Sequence, residues 1–111
     1  MLGVTSTPST ANSNALPLVF RRIAQKELDD SVAWYHDRDA RLGVEFGDEI
    51  ENYLKRICAN PKQFPQIRGE VRRAVLRRFP YSIHFLPEAN RIVILAIFHA
   101  KRAPRHLEGR F

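Results

Sequence analysis

The stretch RIVILAIFHAKRAP, residues 91–104, decides the fold. Seven apolar residues, Ile92 to Phe98, run directly into His99, with Lys101, Arg102 and Pro104 close behind. A strand with one wet face alternates apolar and polar side chains. This run does not alternate, so it reads as a central strand covered on both faces. Its far end then changes character, with three groups able to carry positive charge within four residues.

Working back toward the N-terminus, VRRAVLRRF (71–79) and YSIHFLPE (81–88) are rich in β-branched and aromatic residues and read as two more strands. Pro80 separates them, and residues 87–90 form a hairpin connection. PKQFPQIRGE (61–70), with two prolines and a glycine, reads as a loop. Before it the period changes. Leu42, Phe46, Ile50, Leu54, Ile57 and Cys58 share one helical face, and Asn60-Pro61 stops that helix. Gly43 and Gly47 weaken its first turns. HDRDARLG (36–43) interrupts the pattern, and Ala24, Leu28, Val32 and Tyr35 mark an earlier helix. LPLVFRR (16–22) is a short entering strand. The order β-α-α-β-β-β predicts an α+β fold in which an antiparallel helical hairpin packs on an antiparallel β-meander.

At 111 residues the chain has the length of one domain. Residues 1–15 contain no charged side chain and are rich in Ser, Thr, Asn and Pro. We expect them to be a disordered extension to a single domain spanning 16–111, and not a secretory signal, which needs a basic start and an apolar stretch. The longest apolar run is too short to span a bilayer. The single cysteine, Cys58, cannot form an internal disulfide, which suits a cytoplasmic protein.

Net charge is +6, and it is unevenly placed. Residues 71–111 hold nine Lys/Arg against two Asp/Glu, whereas residues 21–60 hold seven against nine. A basic C-terminal part favours a polyanion or an acidic protein partner. His36, His84, His99 and His106 show no metal-binding spacing, and Cys58 has no CxxC partner, so neither metal nor cofactor is expected.

Within VRRAVLRR, strand alternation puts Arg72 and Arg78 on one face and Arg73 and Arg77 on the other. Two arginine faces on one strand cannot both enter a core. At least one meets solvent, a phosphate or a carboxylate, and arginine's planar fork suits both oxyanions. A charged edge blunted against aggregation is the other reading. His99 likewise has two readings. Beside Arg77 or Arg102 it could exchange protons in metal-free RNA cleavage. At a strand end it could instead bond to backbone and lock the turn.

Taken in order, these elements resemble the RelE/ParE family, the toxins of type II toxin–antitoxin systems, over roughly residues 17–105. The resemblance rests on Ala24 and Leu28 opening the first helix, the Asn60-Pro61 stop, the Val71-Arg72 strand start and Phe79-Pro80-Tyr81-Ser82-Ile83. It rests finally on the I-x-I-L-x-I-x-H-x-x-R-x-P ending, Ile92 to Pro104. It implies a helical hairpin on a small antiparallel sheet, a cytoplasmic toxin, and a cognate antitoxin as partner. Family members differ in target. RelE-like members cut mRNA on the ribosome, and YoeB-like members use a glutamate and a histidine followed by tyrosine. ParE-like members poison DNA gyrase. Here His99 is followed by Ala100, and Lys62 stands alone before Arg72. The ending and the FPYSI segment are more similar to ParE, which implies gyrase as the target. Ribosome-dependent mRNA cleavage is the alternative, with Arg72, Arg77, His99 and Arg102 as its possible catalytic set. The candidate contact residues for a partner or nucleic acid are Arg72, Arg73, Arg77 and Arg78 on the strand. Tyr81, His99, Lys101 and Arg102 complete them.

Overall fold

A computed structural model describes residues 16–101. The expectations for residues 1–15 and for Arg102 fall outside them. Strand β1 (Leu18–Phe20) leads into helices α1 (Arg22–Arg38) and α2 (Ala40–Ala59). A 3-10 turn (Pro61–Gln63) follows. Strands β2 (Gln66–Arg68), β3 (Val71–Val75), β4 (Tyr81–Pro87) and β5 (Ile92–His99) complete the order. They form one sheet in the order β1-β5-β4-β3-β2, with β1 parallel to β5 and every other neighbour antiparallel. The α+β architecture, the helical hairpin and the β3-β4-β5 meander are as the sequence predicts.

β5 is an interior strand, with β1 on one side along Ile92 to Ile94 and β4 on the other, and Ile92 to Phe98 are all buried. Ile92, Ile94 and Ile97 join Phe46, Ile50, Ile83 and Phe85 in the core beneath the helices. Val93 and Leu95 pack with Val71, Ile67 and Leu86 in a second cluster. The spacing of the first set is informative. A regular strand would place Ile92, Ile94, Ala96 and Phe98 on one face. A register shift between His84 and Phe85 leaves Leu95 unmatched on β5. That bulge reverses the alternation, so Ile97 and His99 return to the helix side.

The interruption expected over 36–43 shrinks to Asp39 alone. Its backbone is extended, its N–H closes α1 on Tyr35 O at 2.9 Å, and its Oδ1 accepts the Arg41 N–H at 2.9 Å to open α2. Aspartate is a good N-cap because its carboxylate satisfies an orphan amide at the positive end of the helix dipole. Such a tight joint brings the helices close. A Cβ on Gly43 would lie 2.9 Å from His36 Cβ and 3.0 Å from His36 Cα, whereas one on Gly47 would meet nothing within 4 Å. Glycine at 43 is therefore where the hairpin crosses. Gly43→Ala is expected to lower stability, because overpacking costs about 1–3 kcal/mol against a helix-propensity gain of about 1 kcal/mol. Gly47→Ala gains the propensity alone. Paired thermal melts should therefore move in opposite directions.

Two sequence expectations need correction. The 61–70 loop contains the 3-10 turn and β2, with Phe64 buried in the core and Gly69 turning at φ +55. Only glycine takes that φ at no steric cost. The strand expected over 71–79 ends at Val75. Buried Glu49 on α2 draws the chain out of the sheet, accepting the N–H groups of Arg77 at 2.9 Å and Arg78 at 2.8 Å. The two-faced arginine strand is thus replaced by a strand carrying Arg72 and Arg73 and a bend carrying Arg77 and Arg78. Leu76 and Phe79 are tucked into the core on either side of them.

Candidate interaction site at the basic end of the sheet

The β3–β4 bend and the end of β5 lie together. Leu76 N–H reaches Tyr81 O at 2.9 Å, and Ala100 N–H reaches Pro80 O at 2.7 Å. These bonds gather Arg77, Arg78, Tyr81, His99 and Lys101 at one end of the molecule. Arg72 and Arg73 lie further back, opposite Phe85 and His84 on β4. Arg72 is engaged structurally, since its Nη1 donates to Phe64 O at 2.6 Å and pins the preceding loop. Of the possible nuclease set read from the sequence, Arg77 lies at the same end as His99, whereas Arg72 is held at the Phe64 carbonyl. Its fourth member, Arg102, lies outside the described residues.

His99 is half-buried and sits opposite Tyr81 across the strands. The rings meet edge to face, with centroids 5.1 Å apart and planes at 80°. Nδ1 of His99 accepts the Lys101 N–H at 3.1 Å. A nitrogen that accepts carries no proton, so the neutral ring has its hydrogen on Nε2. This is the turn-locking role that the sequence left open beside the catalytic one. Arg78 pairs with Glu45 at 2.9 Å, both half-exposed, a geometry contributing about 0.2–1 kcal/mol. The Arg77 side chain is exposed and has no ion-pair or hydrogen-bond partner among the described residues.

Behind His99 the aromatic residues continue. Tyr81 and Tyr35 centroids are 6.1 Å apart, and Tyr35 also contacts Phe46, Phe79 and Trp34. Burial pushes the Tyr35 hydroxyl above its usual pKa, and neighbouring Tyr81 adds to the shift. Trp34 is 48% exposed, and one face of its ring is covered by the Arg38 guanidinium at 3.4 Å. Between α1 and the end of β5 these groups enclose a cleft of about 480 Å³, with Asp30 and Lys101 also lining it. A second concavity of about 510 Å³ runs between the helices over Leu28, Val32, Ile50 and Leu54, with Asp29, Asp37 and Glu51 also lining it.

Sequence reasoning picked out Tyr81, His99, Lys101 and the arginines. It missed Trp34 and Glu49. Trp34 carried a signal, because it falls off the apolar face of α1 and a large exposed ring invites a reason. Glu49 carried one only in part, as a carboxylate beside the apolar stripe of α2. Among the described residues, no group of three His, Cys, Asp or Glu side chains could hold a metal ion. No helix among them is long and apolar enough to cross a membrane.

Comparison with known proteins bears on this arrangement. Residues 18–104 match the profile of a family described as the ParE toxin of the type II toxin–antitoxin system parDE. A solved chain from the chromosomal ParDE toxin–antitoxin system of P. aeruginosa superposes with a TM-score of 0.66. That alignment covers 78% of this chain and 97% of the other at 23% identity, a likeness of fold. No curated protein matches the sequence.

Proposed function

The chain belongs to the ParE toxin family of type II toxin–antitoxin systems, and from that premise we propose that it poisons DNA gyrase by binding. A cognate antitoxin neutralises it, and it works in the cytoplasm. The observation that carries this reading is the state of His99. Its Nδ1 is engaged by the Lys101 N–H, and Arg72 is tied to the Phe64 carbonyl. An acid–base residue working on a phosphate needs cationic groups converging on it. Here Arg72 is engaged by the Phe64 carbonyl and Arg78 by Glu45, while Arg77 and Lys101 lie exposed, an arrangement better suited to docking on a large partner. The surface proposed for that role comprises Arg77, Arg78, Tyr81 and Lys101, with His99 holding the turn behind them.

Induced expression in a growing culture tests the reading against its alternative, mRNA cleavage on the ribosome. His99→Ala should keep growth arrest and induce the DNA-damage response. Arg77→Glu should weaken arrest by roughly the factor of ten or more associated with reversing a docking charge. Loss of arrest in His99→Ala, with the variant still captured by antitoxin and therefore folded, would move the function to RNA cleavage.

A further inference from the structure

The helical hairpin covers one face of the sheet. On the other face Val93 and Leu95 of β5 cluster with Val71, Ile67 and Leu86, all of them strand residues. The rings of His84 and Phe98 lie on that same face, with centroids 5.4 Å apart. Arg73 and Val75 flank them, since Arg73 stands opposite His84 and Val75 opposite Ser82. A sheet face open to water is polar and wet. The middle of this one is neither. Leu95 is 2% exposed, Phe98 6% and His84 not at all, whereas Val75 at the end of β3 is 59% exposed. Something covers the middle of the face, and among the described residues no helix joins the cluster there.

Two segments adjoin the described residues. Residues 1–15 join at Leu16, whose N–H reaches Cys58 O at 3.4 Å near the end of α2, in the helical layer. Residues 102–111, RAPRHLEGRF, instead follow β5, the strand that carries Leu95 and Phe98. The chain turns at Ala100 and Lys101, and the turn is held by the Lys101 N–H on His99 Nδ1 and the Ala100 N–H on Pro80 O. The reach is sufficient. At about 3.3 Å per residue Leu107 can lie up to about 20 Å from Lys101, and Leu95 is about 20 Å back along the strand. The segment has apolar Leu107 and Phe111 among Arg102, Arg105 and Arg110, against the single acid Glu108. Residues 105–111 lie beyond the family match, which stops at 104.

We propose that residues 102–111 fold back as a strap over the outer face of the sheet. Leu107 and Phe111 cover Val93, Leu95 and Phe98, and the arginines face water. The strap hides an apolar face that would otherwise be open to association. It also carries positive charge from the Arg77 end of the sheet round to its back. The proposal is independent of the gyrase reading, since it concerns which part of the chain occupies this face and not what the toxin poisons.

A nitroxide placed on the full-length chain tests the position. Gly109→Cys, in a Cys58→Ser background, puts the label between Leu107 and Phe111. It should broaden the methyl resonances of Val71, Val93 and Leu95 strongly, and those of Leu28, Val32 and Leu54 on the helical hairpin weakly. Deleting residues 102–111 should raise the fluorescence of an apolar-surface dye several-fold. It should also lower the thermal midpoint by at least about 8 °C, because two apolar side chains lose their burial. Phe111→Ser should give a smaller change of the same sign, and it serves where the deletion does not fold. Broadening confined to the hairpin, or no broadening, overturns the proposal. So does broadening carried from a nitroxide-bearing chain to a separate methyl-labelled one, which would assign the face to a second copy. Dye binding that rises on deleting residues 1–15, and not on deleting 102–111, would give the cover to the N-terminal segment instead.

Discussion

A Phe46→Ala chain is expected to lose about 3–5 kcal/mol of folding free energy, the usual cost of truncating a buried phenylalanine. Phe46 is wholly buried, and its ring lies 5.0–5.1 Å from those of Tyr35, Phe79 and Tyr81. It is the point where α2, α1, the β3–β4 bend and the start of β4 meet. The cavity left behind cannot close without moving three rings held by separate elements. A domain of this size is stable by only about 5–15 kcal/mol, so the variant should sit near the edge of folding. With an m-value of about 1–3 kcal/mol/M, urea midpoints should fall by more than about 1 M. Phe46→Leu keeps most of the volume and should lose far less. A Phe46→Ala midpoint close to that of the parent would mean the ring cluster is not the centre of the core.

The second large effect is expected at Glu49. Glu49→Ala removes the acceptor of two consecutive backbone N–H groups, and each buried donor left without one costs about 1–3 kcal/mol. Partial rescue by water brings the expected total to about 2–4 kcal/mol. Glu49→Gln keeps an oxygen in place and loses only the charge assistance, so it should fall between the two. The functional consequence distinguishes this site from an ordinary core residue. Glu49 holds the bend that presents Arg77 and Arg78, so activity should fall further in Glu49→Ala than in Arg78→Ala, which only removes a half-exposed ion pair. Amide exchange at residues 77 and 78 gives a direct check. Both amides should exchange rapidly in Glu49→Ala while the β4–β5 ladder stays protected. Unchanged protection at 77 and 78 would show that the bend is held by something else.

These two residues also show how much a sequence of this kind discloses. Phe46 was legible, because the i, i+4 apolar spacing of α2 needs only helical geometry to predict its inward face. The same holds for Ala24 and for the Ile92 to Phe98 run, whose two buried faces follow from its lack of alternation. Glu49 was not legible as a partner, because its role depends on a bend 28 residues away in sequence. That bend in turn shortened β3, so the alternation argument failed for Arg77 and Arg78 while holding for Arg72 and Arg73. Asp39 falls inside a wider interruption expected over 36–43 because charge and glycine cluster around it. A single capping residue was enough to join two helices. The β5 bulge was invisible, since it is a relation between β4 and β5 rather than a property of either. Yet it is the bulge that turns His99 toward Tyr81 and α1. The parallel pairing of β1 with β5 was hidden for the same reason.

The most direct test of the central claim uses the purified chain, freed of antitoxin, with DNA gyrase, ATP and relaxed plasmid. For a gyrase poison, supercoiling is lost, linear plasmid accumulates from trapped breaks, and His99→Ala behaves as the parent does. Full supercoiling in the presence of a chain shown by circular dichroism to be folded would contradict that claim.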